Sequence, residues 1–184
     1  MHWIDPDSLP ETRGTVTRFL LNPHGELDGF VLGQSRQVHF PPHLSKQIAR
    51  YVATGDTVRV RGLKPRGVDM IAAVAVTTKD GRAIIDEGPD HDARHRKAAV
   101  ELRPMEATGE VLLRLYGPKG ELRGALLDDG TSLRMPPHAA DALSDYLEPG
   151  AHVHAWGHGM KSRFGRSIEV DEIAHLVNES GSGD

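Results

Sequence analysis

The 184-residue sequence contains an internal duplication, and this feature limits the possible folds more than any other. Residues 14–62 align with residues 109–157 without a gap, at a constant offset of 95, and 16 of the 49 aligned positions are identical. Chance alone would give roughly 3 identities, at about 6% per position for an ordinary composition. Since repeats of one unit build repeated architectures, we expect two domains with the same fold.

Turn residues divide each copy into five short strands and one helix. In the first copy, strands are predicted over residues 14–21, 27–32 and 36–40, and the first of them ends at a turn rich in Asn, Pro and Gly. After Pro41-Pro42, apolar residues recur at helical spacing, and strands at 57–62 and 70–76 complete the copy. The helical residues are Leu44, Ile48, Tyr51 and Val52 in the first copy, and Ala139, Leu143, Tyr146 and Leu147 in the second.

The order β-β-β-α-β-β in about 65 residues is that of the OB-fold, a five-stranded Greek-key barrel with a helix between strands three and four. An SH3-like barrel is the alternative, but it would not place a two-turn helix at that point. We therefore predict an all-β protein with short helices, built as two tandem five-stranded OB-fold Greek-key barrels. Each half also resembles an uncharacterised bacterial OB-fold domain with the pattern G-x-V…P-x-G-E-x-x-G…P-P-H, found singly or in tandem. The resemblance covers about two thirds of the chain and implies the fold, which in other proteins serves nucleic acids, oligosaccharides and protein partners alike.

The predicted domain organisation follows from the two copies. Residues 1–12 form an irregular lead-in, residues 13–78 the first OB-fold, residues 79–108 a linker, residues 109–176 the second OB-fold, and residues 177–184 a disordered tail. Within the linker, a short helix is predicted over His91–Leu102.

Several classes of protein are excluded by composition and motifs. The chain has no cysteine, so disulfides, thiol catalysis and Cys-ligated metals are ruled out. It has neither an apolar run of about 20 residues nor a basic-then-apolar signal at its start, and we expect a soluble, cytoplasmic protein with no membrane partner. Because the Gly-rich phosphate loop and the motifs G-x-S-x-G and H-E-x-x-H are missing, we predict neither an enzyme nor a cofactor.

Charge is distributed unevenly between the two copies. The net charge of the chain is −4, but residues 13–78 carry +5 and residues 109–176 carry −3. Sixteen of the 22 basic residues are Arg, whose guanidinium suits bidentate phosphate contacts and stacking on bases. The first copy is therefore the better candidate for a polyanion.

Ligands of OB-folds lie across strands two and three, between the loops that join strands one to two and four to five. Here those loops and the outward positions of the strands carry cations and several rings, which is typical of sequence-tolerant binding of single-stranded RNA or DNA. The candidate nucleic-acid-binding residues are Phe19, His24, Phe30, Gln37, His39, Arg59, Arg61, Lys64 and Arg66 in the first copy, and Lys119, Trp156, Lys161, Arg163, Phe164 and Arg166 in the second.

Two other interpretations of these residues stay open. Basic hairpin loops and outward Arg side chains also serve as a solvated face that protects a strand edge. Alternatively, the barrels form an interaction module for a protein partner or a small anionic ligand, with the acidic second barrel facing the protein. Salt-dependent binding to a short oligonucleotide distinguishes these cases.

Eleven histidines raise the question of a metal site. His152, His154 and His158 lie at even spacing on one predicted strand, and imidazoles are common ligands of zinc, copper and nickel. The first copy has Thr57, Arg59 and Leu63 at the matching positions, and no carboxylate is placed by spacing to complete a site. We predict no metal, with these three histidines as the weak alternative.

Overall fold

The computed structural model describes residues 6–87 and 101–176, which form two five-stranded barrels with a few short helices. This confirms the all-β, tandem-barrel prediction. No helix in these two ranges is long and apolar enough to cross a membrane.

The first barrel follows the predicted element order. Its strands are β1 (Glu11–Leu21), β2 (Leu27–Leu32), β3 (Arg36–His39), β4 (Thr57–Leu63) and β5 (Met70–Thr77), with an added strand β6 (Ala83–Ile85). β1 pairs with β2 and β4, β5 pairs with β4, and the parallel pairing of β3 with β5 closes the barrel. Between β3 and β4, a 3₁₀ turn (Pro42–Leu44) leads into α1 (Ser45–Tyr51), so the helical segment begins at the Pro-Pro pair as predicted.

The second barrel repeats this arrangement. Its strands are β7 (Arg103–Tyr116), β8 (Leu122–Leu127), β9 (Ser132–Arg134), β10 (His152–Ser162) and β11 (Gly165–His175), and the parallel pairing of β9 with β11 closes it. α2 (Pro137–Ala142) again begins at the Pro-Pro pair, and a 3₁₀ turn (Ser144–Leu147) follows.

Regular structure extends beyond the repeats as aligned in the sequence. β1 begins at Glu11, inside the predicted lead-in, and both β6 and the start of β7 lie inside the predicted linker. Of the helix predicted over His91–Leu102, residues 91–100 lie outside the described residues, as does the predicted tail. Residues 101 and 102 precede β7 without regular structure.

Each barrel has its own core, and the two cores differ in the size of their side chains. The first holds Phe30 and Phe40, whose ring centroids lie 5.7 Å apart. The second has Ala125 and Met135 at the equivalent positions. The duplicated fold therefore persists with different interior packing.

A third apolar cluster lies between the barrels. It consists of the outward-facing residues Leu20 and Val31 of the first barrel and Leu113, Leu115 and Leu126 of the second, all buried. β2 is consequently buried along its whole length, because one face packs on its own core and the other on the second barrel. In a strand that is buried on both faces, apolar residues follow one another and do not alternate with polar residues.

The two barrels are related by an approximate two-fold axis. Tyr116 donates its N–H to Oε1 of Gln37 (2.8 Å), and Leu21 donates its N–H to Oγ of Ser132 (3.4 Å). Gln37 and Ser132 are counterparts at the offset of 95, as are Leu21 and Tyr116, so the second contact is the first with the barrels exchanged. Such an exchange is the signature of an isologous interface.

Candidate nucleic-acid interface

The barrel–barrel contact covers the surface on which an OB-fold ligand was expected. Gln37 does point away from its barrel core, as predicted, but it is only 1% exposed because the second barrel packs over it. Phe30 is buried in the first core and offers no ring to a base in this structure. The predicted use of strands two and three as the binding face is therefore wrong for these two residues.

The loops that flank that face meet across the interface in a reciprocal way. A Cβ added to Gly25, in the β1–β2 loop, would lie 1.9 Å from Sδ of Met160, and one added to Gly120, in the β7–β8 loop, would lie 2.9 Å from Cβ of Pro65. Met160 and Pro65 are again counterparts. Each strand-one-to-two loop thus packs against the strand-four-to-five hairpin of the other barrel, and two composite edges result.

One composite edge carries three of the predicted cations. Lys64 and Arg66 belong to the β4–β5 loop, Lys119 belongs to the β7–β8 loop that contacts it, and all three side chains are exposed. We call these three residues the cationic loop edge. Neither barrel alone would bring them together.

The β10–β11 hairpin of the other composite edge also borders a groove with paired rings. Phe19 and Phe164 meet edge to face, with centroids 5.2 Å apart, and the guanidinium of Arg163 lies 4.6 Å above the Phe164 ring. Together with Arg18 and Thr54 they line a cavity of about 410 Å³ between the first barrel and the β10–β11 hairpin. We call it the aromatic groove. Lys161 is exposed two residues before Arg163.

Three other predicted cations lie apart from these edges or are already paired. Arg61 hydrogen-bonds the backbone oxygen of Leu9 (2.9 Å) and lies 3.4 Å from Oε1 of Glu11, which ties the start of the described chain to β4. Arg166 pairs with Asp129 at 2.7 Å. Arg59 is exposed on β4, five residues before Lys64 and hence roughly 17 Å along the strand.

The Arg166–Asp129 contact also affects a titration. Burial alone would raise the pKa of Asp129, but hydrogen bonds from Thr131 and Arg166 bring that pKa below its ordinary value. The carboxylate is therefore held in its charged form beside Arg166, which leaves this arginine with less free charge for a phosphate.

Trp156 and the histidines of β10 form a separate surface. Trp156 is 39% exposed and its ring lies 4.2 Å from that of His154. Each histidine has its own acidic neighbour: His152 lies near Glu110, His154 near Glu106 and His158 near Asp171. Within residues 6–87 and 101–176, no group of three or more His, Asp or Glu side chains is arranged to hold a metal ion.

His24 lies in the β1–β2 loop and His39 at the end of β3. They line a cavity of about 370 Å³ on the approximate two-fold axis, together with Asp28, Arg123 and Arg134. Arg134 crosses the interface, donating to Oδ1 of Asp28 (2.7 Å) and to the backbone oxygen of Leu21 (3.0 Å). Burial lowers the pKa of His39, with the positive charges of Arg134 and Arg123 adding to the effect and Asp28 opposing it.

Arg18 is the groove residue that sequence reasoning missed. It lies next to Phe19 on β1, where it faces the β8–β9 turn of the second barrel, and a Cβ added to Gly130 would lie 3.7 Å from its Nη1. One feature of the sequence could have indicated the position of Arg18. Leu20 and Val31 are apolar at outward positions, which indicates that the β1–β2 face beside Arg18 is covered by another surface.

Comparisons with known proteins add two findings. Neither the protein-family models nor the curated proteins include a match. Among solved structures, a deletion mutant of the single-stranded DNA-binding protein from Thermus aquaticus aligns at 15% identity and a TM-score of 0.31, covering 95% of this chain and 96% of that one. The wild-type form of the same protein aligns at 15% identity and a TM-score of 0.30, covering 91% and 92%. Similarity at this level does not extend to what this chain binds.

Proposed function

We propose that this protein binds single-stranded nucleic acid in the aromatic groove, without catalysing a reaction. The observation that carries the proposal is the contact of Phe19 with Phe164 in a groove that also presents Arg18 and Arg163. Sequence-tolerant single-strand binders combine a stacking ring with cations that follow the phosphates, and this groove supplies both from the two barrels at once.

Stacking in the groove would use Phe164 and Arg163. Phe164 is half-buried against the first core, so its ring is already held in place and little conformational entropy is lost when a base stacks on it. The guanidinium of Arg163 covers the ring, and a planar guanidinium also stacks on aromatic faces such as those of bases. The groove volume falls within the range of sites that hold groups of nucleobase size.

Phosphate contacts would come from Arg18 and Arg163, with the cationic loop edge as an additional contributor. Each neutralised phosphate on a single strand contributes about −0.7 to the slope of log binding constant against log salt. Two phosphates at the groove therefore predict a slope near −1.4, and engagement of the loop edge would make it steeper by about −0.7 per contact.

The test is fluorescence anisotropy with labelled oligothymidylate and oligouridylate of about 15 nucleotides, a length matched to the binding sites of OB-folds, over a series of salt concentrations. Phe164→Leu keeps the packing volume but removes the stacking ring, and should weaken binding by about 1–3 kcal/mol with an unchanged slope. Phe164→Tyr should bind like the wild type.

Charge variants complete the test with a matched control. Arg163→Gln should flatten the slope by about 0.7. Arg59→Gln, which removes the same charge from a residue that does not line the groove, should leave the slope unchanged. Absence of binding at low salt, or equal effects of the two substitutions, would refute the groove as the site. The interaction-module interpretation, with a protein partner, would then replace it.

A further inference from the structure

We infer that the cavity on the approximate two-fold axis binds a small monocarboxylate between Arg123 and His39. This site is distinct from the aromatic groove and does not depend on the proposed nucleic-acid binding. We call it the axial pocket, defined by Asp28, His39, Arg123, Arg134 and the prolines Pro23 and Pro118.

The pocket is symmetric about the approximate two-fold axis. Asp28 is the counterpart of Arg123, His39 of Arg134, and Pro23 of Pro118, each at the offset of 95. Because both members of every pair line the same cavity, exchanging the barrels maps the pocket onto itself. The two halves of the pocket can therefore be compared position by position.

At these positions, one half of the pocket contains a buried ion pair that crosses the interface, and the other half does not. Asp28 and Arg134 are both buried and meet at 2.7 Å. The symmetry-related positions hold Arg123 and His39, a cation and a base, so neither of these two positions supplies an acid. Within the described ranges, His39 Nδ1 and Arg123 Nε are buried atoms without a hydrogen-bond partner. A carboxylate placed there would do for Arg123 what Asp28 does for Arg134.

The surroundings favour one negative charge and a small apolar body. Glu121 pairs with Arg123, with Oε2 3.5 Å from Nη2, and the Arg123 side chain is 43% exposed, so a ligand carboxylate would share the guanidinium with Glu121. Glu169 at the lining would repel a second negative charge on the ligand, which disfavours phosphate and dicarboxylates. Met135 and three prolines supply apolar walls, and the volume of about 370 Å³ is typical of small-molecule sites.

The lowered pKa of His39 is consistent with this chemistry. Burial keeps the imidazole neutral, so it can donate one ring N–H to a carboxylate while Arg123 supplies the charge. A single charge-assisted contact from Arg123 then distinguishes a carboxylate from the isosteric amide.

The experiment uses the full chain with benzoate, butyrate and acetate, each compared with its amide, with succinate and inorganic phosphate as dianionic probes at constant ionic strength. Melting temperature reports binding, and the ¹⁵N resonances of the His39 ring, assigned with His39→Gln, report its place. The expected result is stabilisation by monocarboxylates and a shift of the His39 ring, with much weaker effects from amides and dianions.

Arg123→Gln should raise the carboxylate Kd by at least about tenfold, as expected for a lost hydrogen bond to a charged group. Arg36→Gln removes a charge from an exposed pair with Asp69 outside the pocket and should leave the Kd unchanged. Since Arg123 is not part of the Asp28–Arg134 pair, its substitution should not unfold the protein. Equal stabilisation by acids and amides, an unshifted His39, or an unaffected Arg123→Gln protein would overturn the inference.

Discussion

The two barrels have the same topology, yet the residues that each presents to the other have diverged into complementary sets. The first barrel contributes Asp28, Gln37 and His39 to the interface, and the second contributes Arg123, Ser132 and Arg134 at the matching positions. Two identical copies would place like groups on both sides of the axis. Divergence allowed one buried, hydrogen-bonded ion pair across the interface, Asp28–Arg134, and left no matching pair between His39 and Arg123.

The overall charges of the barrels differ in the opposite sense to the charges at their interface. The basic first barrel supplies the buried acid, and the acidic second barrel supplies the buried arginine, so the interface charge opposes the net charge on each side. A charge count over a whole barrel therefore does not describe the charge of its contact face.

The largest effect expected from this comparison is the loss of the cross-barrel ion pair. Arg134→Met leaves the buried Asp28 carboxylate without its partner and should lower the free energy of unfolding by about 3–5 kcal/mol in urea denaturation. Arg123→Met, at the symmetry-related position, removes a partly exposed pair with Glu121 and should cost less than about 1 kcal/mol. The double variant Asp28→Leu/Arg134→Leu should recover much of the loss. Equal costs for the two single variants would contradict the asymmetry.

The apolar part of the interface should respond symmetrically where the polar part does not. Leu20→Ala and Leu115→Ala remove equivalent buried side chains from the cluster between the barrels, and each should cost about 2–5 kcal/mol. Leu63→Ala, at a side chain that is 50% exposed, should change stability by less than about 0.5 kcal/mol. A large loss of stability in only one of the two variants would show that the symmetry-related leucines do not contribute equally to the free energy of unfolding.

The reciprocal loop contacts should give a smaller effect on stability, which a comparison of two glycine substitutions can measure. Gly25 and Gly33 both have positive φ, 82° and 63°, so alanine strains either site by about 1 kcal/mol. Only at Gly25 would the new Cβ meet Met160 of the other barrel, whereas Gly33 has open space. Gly25→Ala should therefore show a larger drop in melting temperature than Gly33→Ala, and Met160→Ala should remove the excess. An excess that persists without the Met160 side chain would rule out the contact as its cause.

The smallest expected effect is a pH dependence arising on the axis. Because the pKa of His39 lies below its ordinary value in the folded state, the unfolded chain binds this proton more readily, and stability should fall as pH drops below about 6.5. His39→Gln should remove that part of the loss when melting temperatures are compared between neutral and mildly acidic pH. The groups that act on His39 are Asp28, Arg134, Glu121 and Arg123, so Arg123→Gln should reduce the dependence. Identical pH profiles for the wild type and His39→Gln would exclude this role.

The barrels themselves were predictable because their signals are local. Turn residues set the strand lengths, and Pro41-Pro42 with Pro136-Pro137 fixed where each helical segment begins. The two copies share 16 identical positions, so the same order of strands and helix could be predicted from each of them. Local propensity and periodicity were sufficient for this level of structure.

The binding surface was less predictable because it depends on contacts between distant residues. Leu20 and Val31 indicate that the outer face of β1 and β2 is covered, but an apolar stripe does not specify which surface covers it. As a result, Gln37 and Phe30 were placed on an accessible face that the structure buries, and the partnership of Phe19 with Phe164, 145 residues apart, was not foreseen. The contact of Arg61 with the predicted lead-in was likewise not foreseen.

The buried contact between the barrels also has a consequence for synthesis of the chain on the ribosome. The first barrel has all its strands once Ile85 has emerged, whereas the second is complete only at His175, 90 residues later. At 5–20 residues per second, Leu20 and Val31 remain uncovered for roughly 5–18 s on each nascent chain. During that interval the half-made protein presents an apolar face to its neighbours, and ribosome-bound chains stalled between these two points should bind a hydrophobic dye that full-length chains exclude.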